Sequence, residues 1–254
     1  MPRQPMSSYG TADWFETAYR RSASDPWGLD WRPTQLFRYG RMLSELLHCA
    51  LERQQPIDCV VDVGCATGDF TDLLSRALPP AAARQVIGVD MSPTAIERAR
   101  HRHPHLDLHV AALAELPRHV ERPVDLLCCL EVLYYLPREE RLAALDVFST
   151  VMRPRGMLLV SSMIGQAPYM CHEELCELIG TRFDIVAASC LTLWPLVSLE
   201  KMLLRLAGKG PRFRIGQFVP GSAGFNAVRR LSRACALMFG ERARSHSYVI
   251  ATRR

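Results

Sequence analysis

The chain has 254 residues, nearly half of them apolar, with 31 basic and 26 acidic side chains and a formal net charge of +5. That length suits one α/β domain with additions and supplies enough apolar material for a full core. No stretch approaches the roughly 20 apolar residues of a membrane-spanning helix. Met1 to Gly10 carries no apolar export signal, and the nine cysteines are scattered without a Cys-x-x-Cys pair, which argues for reduced, buried thiols in a cytoplasm over a disulfide or zinc framework.

Residues 1–10 read as a loose terminus, and Thr11 to Arg21 as a short amphipathic helix carrying Trp14, Phe15 and Tyr19. Ser24 to Gly28 is a turn in which Pro26 drives Asp25 toward an extended backbone. Pro33 opens a helix from about Thr34 to Arg53, with Leu36, Tyr39, Met42, Leu43, Leu46 and Leu47 on its apolar face and Arg38 and Arg41 among its polar positions. Two readings of it stand: a packing helix over a sheet edge, or a lid that carries Trp27, Trp31, Arg38 and Tyr39 toward a ligand.

From Asp58 strands alternate with helices. Strands are expected near 58–63, 85–90, 106–111, 124–130 and 156–163, and helices near 69–77, 93–102, 138–152 and 170–180. This alternation implies a parallel sheet with helices on both faces and right-handed crossovers. Phe183 to Ala188 and His246 to Thr252 read as an antiparallel closing pair. Between them, 190–244 is a long insertion. Leu196 to Leu206 is apolar on one side with Lys201 and Arg205 on the other, Gly208 to Pro220 is a loop, and Phe225 to Phe239 repeats Phe225, Val228, Leu231, Cys235 and Met238 beside Arg229, Arg230 and Arg233. From Leu191 to the end, twelve basic residues face only Glu200 and Glu241, so this tail carries +10 and the remainder −5. Such helices are either a solvated face on a helical cap or a surface for an anionic membrane or substrate.

The candidate chemistry centres on Val60 to Phe70. An apolar strand, two glycines (Gly64 and Gly68) and a helix start make a nucleotide-binding corner, because glycine admits close approach of the backbone and a helix N-terminus offers unpaired N–H groups. A buried strand ending in a tight turn would look the same. Asp90 closes the second strand, 22 residues after Gly68, where a carboxylate can accept both hydroxyls of an adenosine ribose. Its alternative role, capping the next helix, is better filled by Ser92. Glu131 follows the fourth strand and should face the crevice at the strands' carboxyl ends, placed to orient a nucleophile or take its proton. Tyr134 and Tyr135 are candidate pocket walls, one of them core. His101, His103 and His105 lack a carboxylate or cysteine set in sequence, so no metal is expected.

Together these pieces resemble the class I S-adenosylmethionine-dependent methyltransferases over about 55–163, through Asp62-Val-Gly-Cys-Ala-Thr-Gly68, Gly88-Val-Asp90, Asp125 to Leu136, and Arg153-Pro-Arg-Gly156. They are also similar to the nodulation protein S family, which N-methylates amino sugars of chitooligosaccharides, through Asp25-Pro-Trp27, Gln35 with Arg38, Gly64 to Thr71, and Glu131 to Leu136. The resemblance implies a Rossmann-like doubly wound, mostly parallel seven-stranded sheet. The chain is expected to divide into a helical lid (1–54), a cofactor-binding α/β core (55–189), a basic insertion (190–244) that the nodulation resemblance does not explain, and a final core strand (245–254).

S-adenosylmethionine is the implied cofactor. It would be held by Trp27, Arg38, Asp62, Gly64, Cys65, Ala66, Gly68, Asp90, Met91, Leu113 and Leu130, with Glu131 and Tyr134 as catalytic candidates. The chain departs from many such enzymes after the third strand. Ala111-Ala-Leu-Ala-Glu115 stands where an acid often holds the adenine amino group, leaving Glu115 or backbone groups to serve. The expected acceptor is an amine or hydroxyl of a small molecule or sugar, with membrane or lipid-linked contact through the insertion. RNA methylation is the rival enzyme reading, against which the chain lacks an Asn-Pro-Pro-Tyr-like element and any RNA module. A non-catalytic adapter on a cofactor fold is the rival of another class, opposed by the intact Gly64, Gly68 and Asp90.

Overall fold

The computed structural model describes residues 9–22, 25–53, 56–78, 84–207 and 221–254. The expected loose terminus up to residue 8, Ser24, the 208–220 loop and the Arg205 side chain lie outside the described residues.

Two helices precede the sheet: α1 (Ala12–Arg21) and α2 (Pro33–Arg53). The Thr11 hydroxyl accepts the Trp14 amide at 3.3 Å and starts α1, while Pro33, whose missing N–H costs nothing there, starts α2. Then follow β1 (Cys59–Val63), α3 (Asp69–Ala77), β2 (Gln85–Asp90), α4 (Pro93–Arg102), β3 (Asp107–Val110), β4 (Val124–Leu130), α5 (Arg138–Val151), β5 (Met152–Met163), α6 (His172–Gly180), β6 (Phe183–Leu191), α7 (Trp194–Ala207), α8 (Ala223–Phe239) and β7 (His246–Arg253).

The strands form one seven-stranded sheet in the order β3-β2-β1-β4-β5-β7-β6. The pairs joining β3, β2, β1, β4 and β5 are parallel, and β7 runs antiparallel between β5 and β6. The expected closing pair is therefore present, but its second strand sits inside the sheet and leaves β6 at the edge. β1 and β4 are buried along nearly their whole length because helices cover both faces, which is why they read as unbroken apolar runs. Alternate residues feed two cores. Val60, Leu126, Cys128 and Leu159 meet α2, α3, α7 and α8, and Val61, Leu127, Cys129 and Leu158 meet α5 and α6.

β5 is longer than expected. Its register jumps from Val124↔Met152 to Leu126↔Met157, so Arg153 to Gly156 forms a bulge within the strand, with Arg155 at φ 62°, and not a turn before it. β6 likewise continues to Leu191. The chain visits β1, β2 and β3 on one side and then crosses to β4 on the other, so the switch point falls between the carboxyl ends of β1 and β4. In open α/β sheets that crevice is where ligands bind.

Candidate active site

The turn after β1 is built for close approach. Gly64 has φ 74°, and a Cβ there would lie 2.3 Å from Val132 Cγ2, so only glycine fits the corner. Ala66 has φ 53°, an uncommon conformation for a residue with a Cβ. It is held by a hydrogen bond from its amide to Asp90 Oδ2 at 2.9 Å; Asp90 Oδ1 accepts the Ser92 amide at 2.9 Å. One carboxylate thus ties the β1 turn to the end of β2. Each of its oxygens has accepted one hydrogen bond and retains capacity for another. Burial raises the Asp90 pKa, opposed by these two amides.

Across the switch point, Glu131 stands at φ 62° immediately after β4. A left-handed backbone at a non-glycine residue is a local strain that the surroundings must impose, and such residues concentrate at functional sites. Here the Glu131 amide donates to Ser161 O at 3.0 Å, the Ser161 hydroxyl donates to Glu131 Oε1 at 2.7 Å, and Arg38 Nη1 lies 3.0 Å from the same oxygen. Arg38 is only 2 % exposed. Arg38 Nε and Glu131 Oε2 are buried without a hydrogen-bond partner, an incompleteness expected where a ligand finishes a site.

These groups line one cavity of about 290 Å³, near the lower end of small-molecule sites. Of the residues singled out in the sequence, Trp27, Arg38, Gly64, Ala66, Asp90, Met91, Leu113, Leu130, Glu131 and Tyr134 line it. Asp62, Cys65 and Gly68 do not. Asp62 is buried behind the turn, where it accepts the Thr71 hydroxyl at 2.7 Å, and burial pushes its carboxyl up to about 7. Cys65 points into a small core with Ile96, Ala99 and Leu108. Gly68, at φ 79°, is the N-cap of α3 with no side-chain cap. These three shape the corner from behind. Both Tyr134 and Tyr135 line the cavity, although Tyr134 is also part of the core. Glu115 does not line it: its carboxylate accepts the Ala112 amide at 3.0 Å and pairs with Arg118, while Ala111 and Leu113 form the wall there.

The histidine connection is also changed by the fold. The carboxylates missing from its sequence neighbourhood arrive from α3, with His105 Nε2 3.0 Å from Asp72 and His103 3.6 Å from Asp69. Among the described residues, no group of three or more His, Cys, Asp or Glu is arranged to hold a metal ion.

Three features were missed in the sequence. The first is the full extent of an aromatic roof, in which Trp27, Tyr134 and Tyr135 were expected and Tyr9, Trp14, Phe15 and Tyr169 were not. Tyr9, Trp14, Phe15 and Trp27 join Tyr134, Tyr135 and Tyr169, with ring centroids 4.4–6.3 Å apart. The second is Glu16, which ties α1 to the start of α4. It accepts the Ser92 hydroxyl at 2.7 Å and the Thr94 hydroxyl at 2.6 Å, and these bonds, outweighing desolvation, lower its pKa to about 2. The third is His246. Because β7 runs backwards, its first residue reaches the same sheet edge as the last residue of β5, Met163, and both line the cavity. Burial, and then the positive charges of Arg38, Lys201 and Arg32, hold its pKa well below the usual value, so the imidazole is neutral at physiological pH. Its Nδ1 lies 2.9 Å from the Ser245 hydroxyl. The aromatic cluster in α1 and a histidine opening a strand were the available signals for the first and third.

The sheet order, the glycine turn opposite a strand-end acid, and the cavity at the switch point define the class I S-adenosylmethionine-dependent methyltransferase fold. Residues 60–156 match the methyltransferase domain family. Nodulation protein S of Rhizobium tropici is 35% identical over 146 residues, 56% of each chain. Carboxy-S-adenosyl-L-methionine synthase of Chromohalobacter salexigens is 33% identical over 130 residues, 50% of this chain and 47% of that one. The chain thus spans about half the length of the curated relatives it matches. Among solved structures, N-methyltransferase NodS of Bradyrhizobium japonicum in complex with S-adenosyl-L-homocysteine superposes with a TM-score of 0.60 at 18% identity, covering 94% of this chain and 97% of that one. At that identity the likeness concerns the fold. No helix among the described residues is long and apolar enough to cross a membrane.

Proposed function

We propose that this protein transfers a methyl group from S-adenosylmethionine to an amine or hydroxyl of a small-molecule or sugar acceptor, with N-methylation favoured. The observation that carries the proposal is the convergence in one cavity of the Gly64 turn, the Asp90 carboxylate and the Arg38–Glu131 pair. The residues fit the cofactor. Asp90 has acceptor capacity left for ribose hydroxyls, Met91, Ala111 and Leu113 offer an apolar slot for adenine, and Glu115, bound elsewhere, leaves backbone groups to meet the adenine edge.

When bound, the cofactor supplies an activated methyl group on a sulfonium, and the protein's task is alignment and exclusion of water. The Gly64–Ala66 backbone bears the methionine part, and Arg38 attracts its carboxylate. Asp62, Cys65 and Gly68 act indirectly by fixing that backbone. The aromatic roof, with Trp27, excludes water and favours cations, which suits both a sulfonium and an amine that becomes a methylammonium. Glu131, fixed by Arg38 and Ser161, orients the nucleophile beside the Tyr134 hydroxyl, and neutral His246 adds an uncharged hydrogen-bonding wall. The nine free cysteines suit a reducing, cytoplasmic setting.

The test is calorimetry with S-adenosylmethionine, followed by transfer of labelled methyl to a panel of amino sugars, simple amines and hydroxylated metabolites. Wild type should bind the cofactor, and Asp90→Ala should weaken binding at least about tenfold, the scale of losing charge-assisted hydrogen bonds. Absence of binding by a folded wild type, or full activity in both Asp90→Ala and Glu131→Gln, would overturn the proposal.

A further inference from the structure

The segment between β6 and β7 exposes apolar side chains out of proportion to the rest of the molecule. Leu199, Met202, Leu203 and Leu206 are exposed on α7, and Leu231, Leu237, Met238 and Phe239 on α8, with Leu206 at 77 % and Leu237 at 89 %. The exposure has a geometric cause. On α8 the expected apolar face splits in two: Phe225, Val228 and Cys235 are buried against the core, while Leu231 and Met238 are not. Ala227, Leu231, Ala234 and Met238 follow i, i+4, i+7, i+11 spacing and make a second, solvent-facing stripe. On α7, Leu199, Leu203 and Leu206 repeat the pattern at i, i+4, i+7, opposite buried Val197.

Charge identifies the occupant. Residues 201–240 contain eight Lys or Arg and no acidic residue. On α8, the exposed Arg229, Arg230 and Arg233 occupy the sector beside the apolar stripe. Lys201 on α7 is exposed as well, 5.8 Å from the Trp194 ring centroid. A second copy would set Lys201, Arg229, Arg230 and Arg233 against the same four cations, and nucleic acid offers no partner for leucine and methionine. A helical surface with an apolar stripe flanked by cations matches the boundary of an anionic bilayer, where apolar side chains enter the acyl region and arginines meet headgroups.

We infer that α7 and α8 dock this protein on an anionic lipid surface. The inference stands independently of the methyl-transfer proposal. Docking would set the cavity close to the bilayer, because Glu200 pins α7 to the start of α2. Its Oε2 accepts Arg32 at 2.6 Å and the Thr34 hydroxyl at 2.7 Å, and the following turn of α2 carries Arg38 into the cavity wall.

The test is co-sedimentation of the full chain with phosphatidylcholine vesicles, with and without roughly a third phosphatidylglycerol, near physiological salt. The protein should sediment with the anionic vesicles and not with the neutral ones. Leu237→Asp/Met238→Asp and, separately, Arg229→Glu/Arg230→Glu/Arg233→Glu should each lower partitioning at least about tenfold. Unchanged thermal unfolding in these variants shows that the fold persists. Failure of folded wild type to sediment, equal sedimentation with both vesicle types, or a concentration-dependent dimer abolished by Leu237→Asp would overturn the inference; the last result would assign the face to a second copy.

Discussion

The Arg38–Glu131 pair gives the sharpest test of how the cavity is held together. Arg38 is 2 % exposed, and the Glu131 side chain 14 %. Charges so shielded are costly when separated: removing one member of a buried pair typically destabilises by about 3–5 kcal/mol, because the survivor is left without compensation. Ser161 also donates to Glu131 Oε1, so Arg38→Met leaves the carboxylate one partner, and a loss near the lower end, about 3 kcal/mol, is expected. Glu131→Gln strands a guanidinium whose Nε already lacks a partner, and should cost about 2–4 kcal/mol. Replacing both removes both charges, and the double variant should lie within about 1–2 kcal/mol of wild type. Urea unfolding of the four proteins at neutral pH, without ligand, gives the coupling directly. Single losses under about 0.5 kcal/mol that simply add in the double variant would refute this account of the wall.

At the β1 turn, Gly64→Ala combines a left-handed backbone at φ 74° with a Cβ 2.3 Å from Val132 Cγ2. The backbone part alone should cost roughly 1–2 kcal/mol in chemical unfolding, and cofactor affinity should fall more than about tenfold by calorimetry. Adding Val132→Ala should recover the steric part of the loss but not the backbone part; a Gly64→Ala protein of wild-type stability would contradict the geometry. Asp62 predicts a pH dependence. Its folded pKa, about 7, lies above the ordinary 3.8, so its contribution to stability is complete below the lower value and is lost as pH rises through the higher one. Asp62→Asn should therefore lose less stability than wild type between about pH 5 and pH 8, by a few kcal/mol at most. Parallel pH–stability curves for the two proteins would show that the carboxyl is not perturbed.

What could be read in the sequence was what short-range physics encodes. Continuous apolar runs marked the buried strands, Pro93 behind Ser92 marked a helix start, and the Gly64 turn with Asp90 marked the crevice. What escaped depends on contacts between distant residues. Arg38 and Glu131 are 93 positions apart, and nothing local distinguishes Arg38, which becomes buried, from Arg41 three residues on, which pairs with Glu45 along the helix surface. Glu16 reads as a surface acid until Ser92 and Thr94 are brought to it. Cys65 sits inside the motif yet faces the opposite core, because a turn alternates its side chains between two environments. The β5 bulge was hidden for another reason: Arg-Pro-Arg-Gly is turn chemistry, and here the strand absorbs it. The doubled apolar pattern of α8 was visible as periodicity, but periodicity does not tell which of two apolar sectors finds a partner.

The way α7 and α8 join the sheet has a consequence of its own. The residues flanking them, Leu191 and His246, are neighbours in the β6–β7 ladder, and the Ser245 amide donates to Leu191 O at 2.8 Å. The two helices are therefore a detour whose exit lies beside its entrance. The β6–β7 ladder fixes both ends of this detour, while Val197, Phe225 and Val228 fasten its body to the main core. A change in the length or charge of the exposed side of this excursion would therefore be felt at the ladder's end, beside His246, and not at the β1–β2 corner.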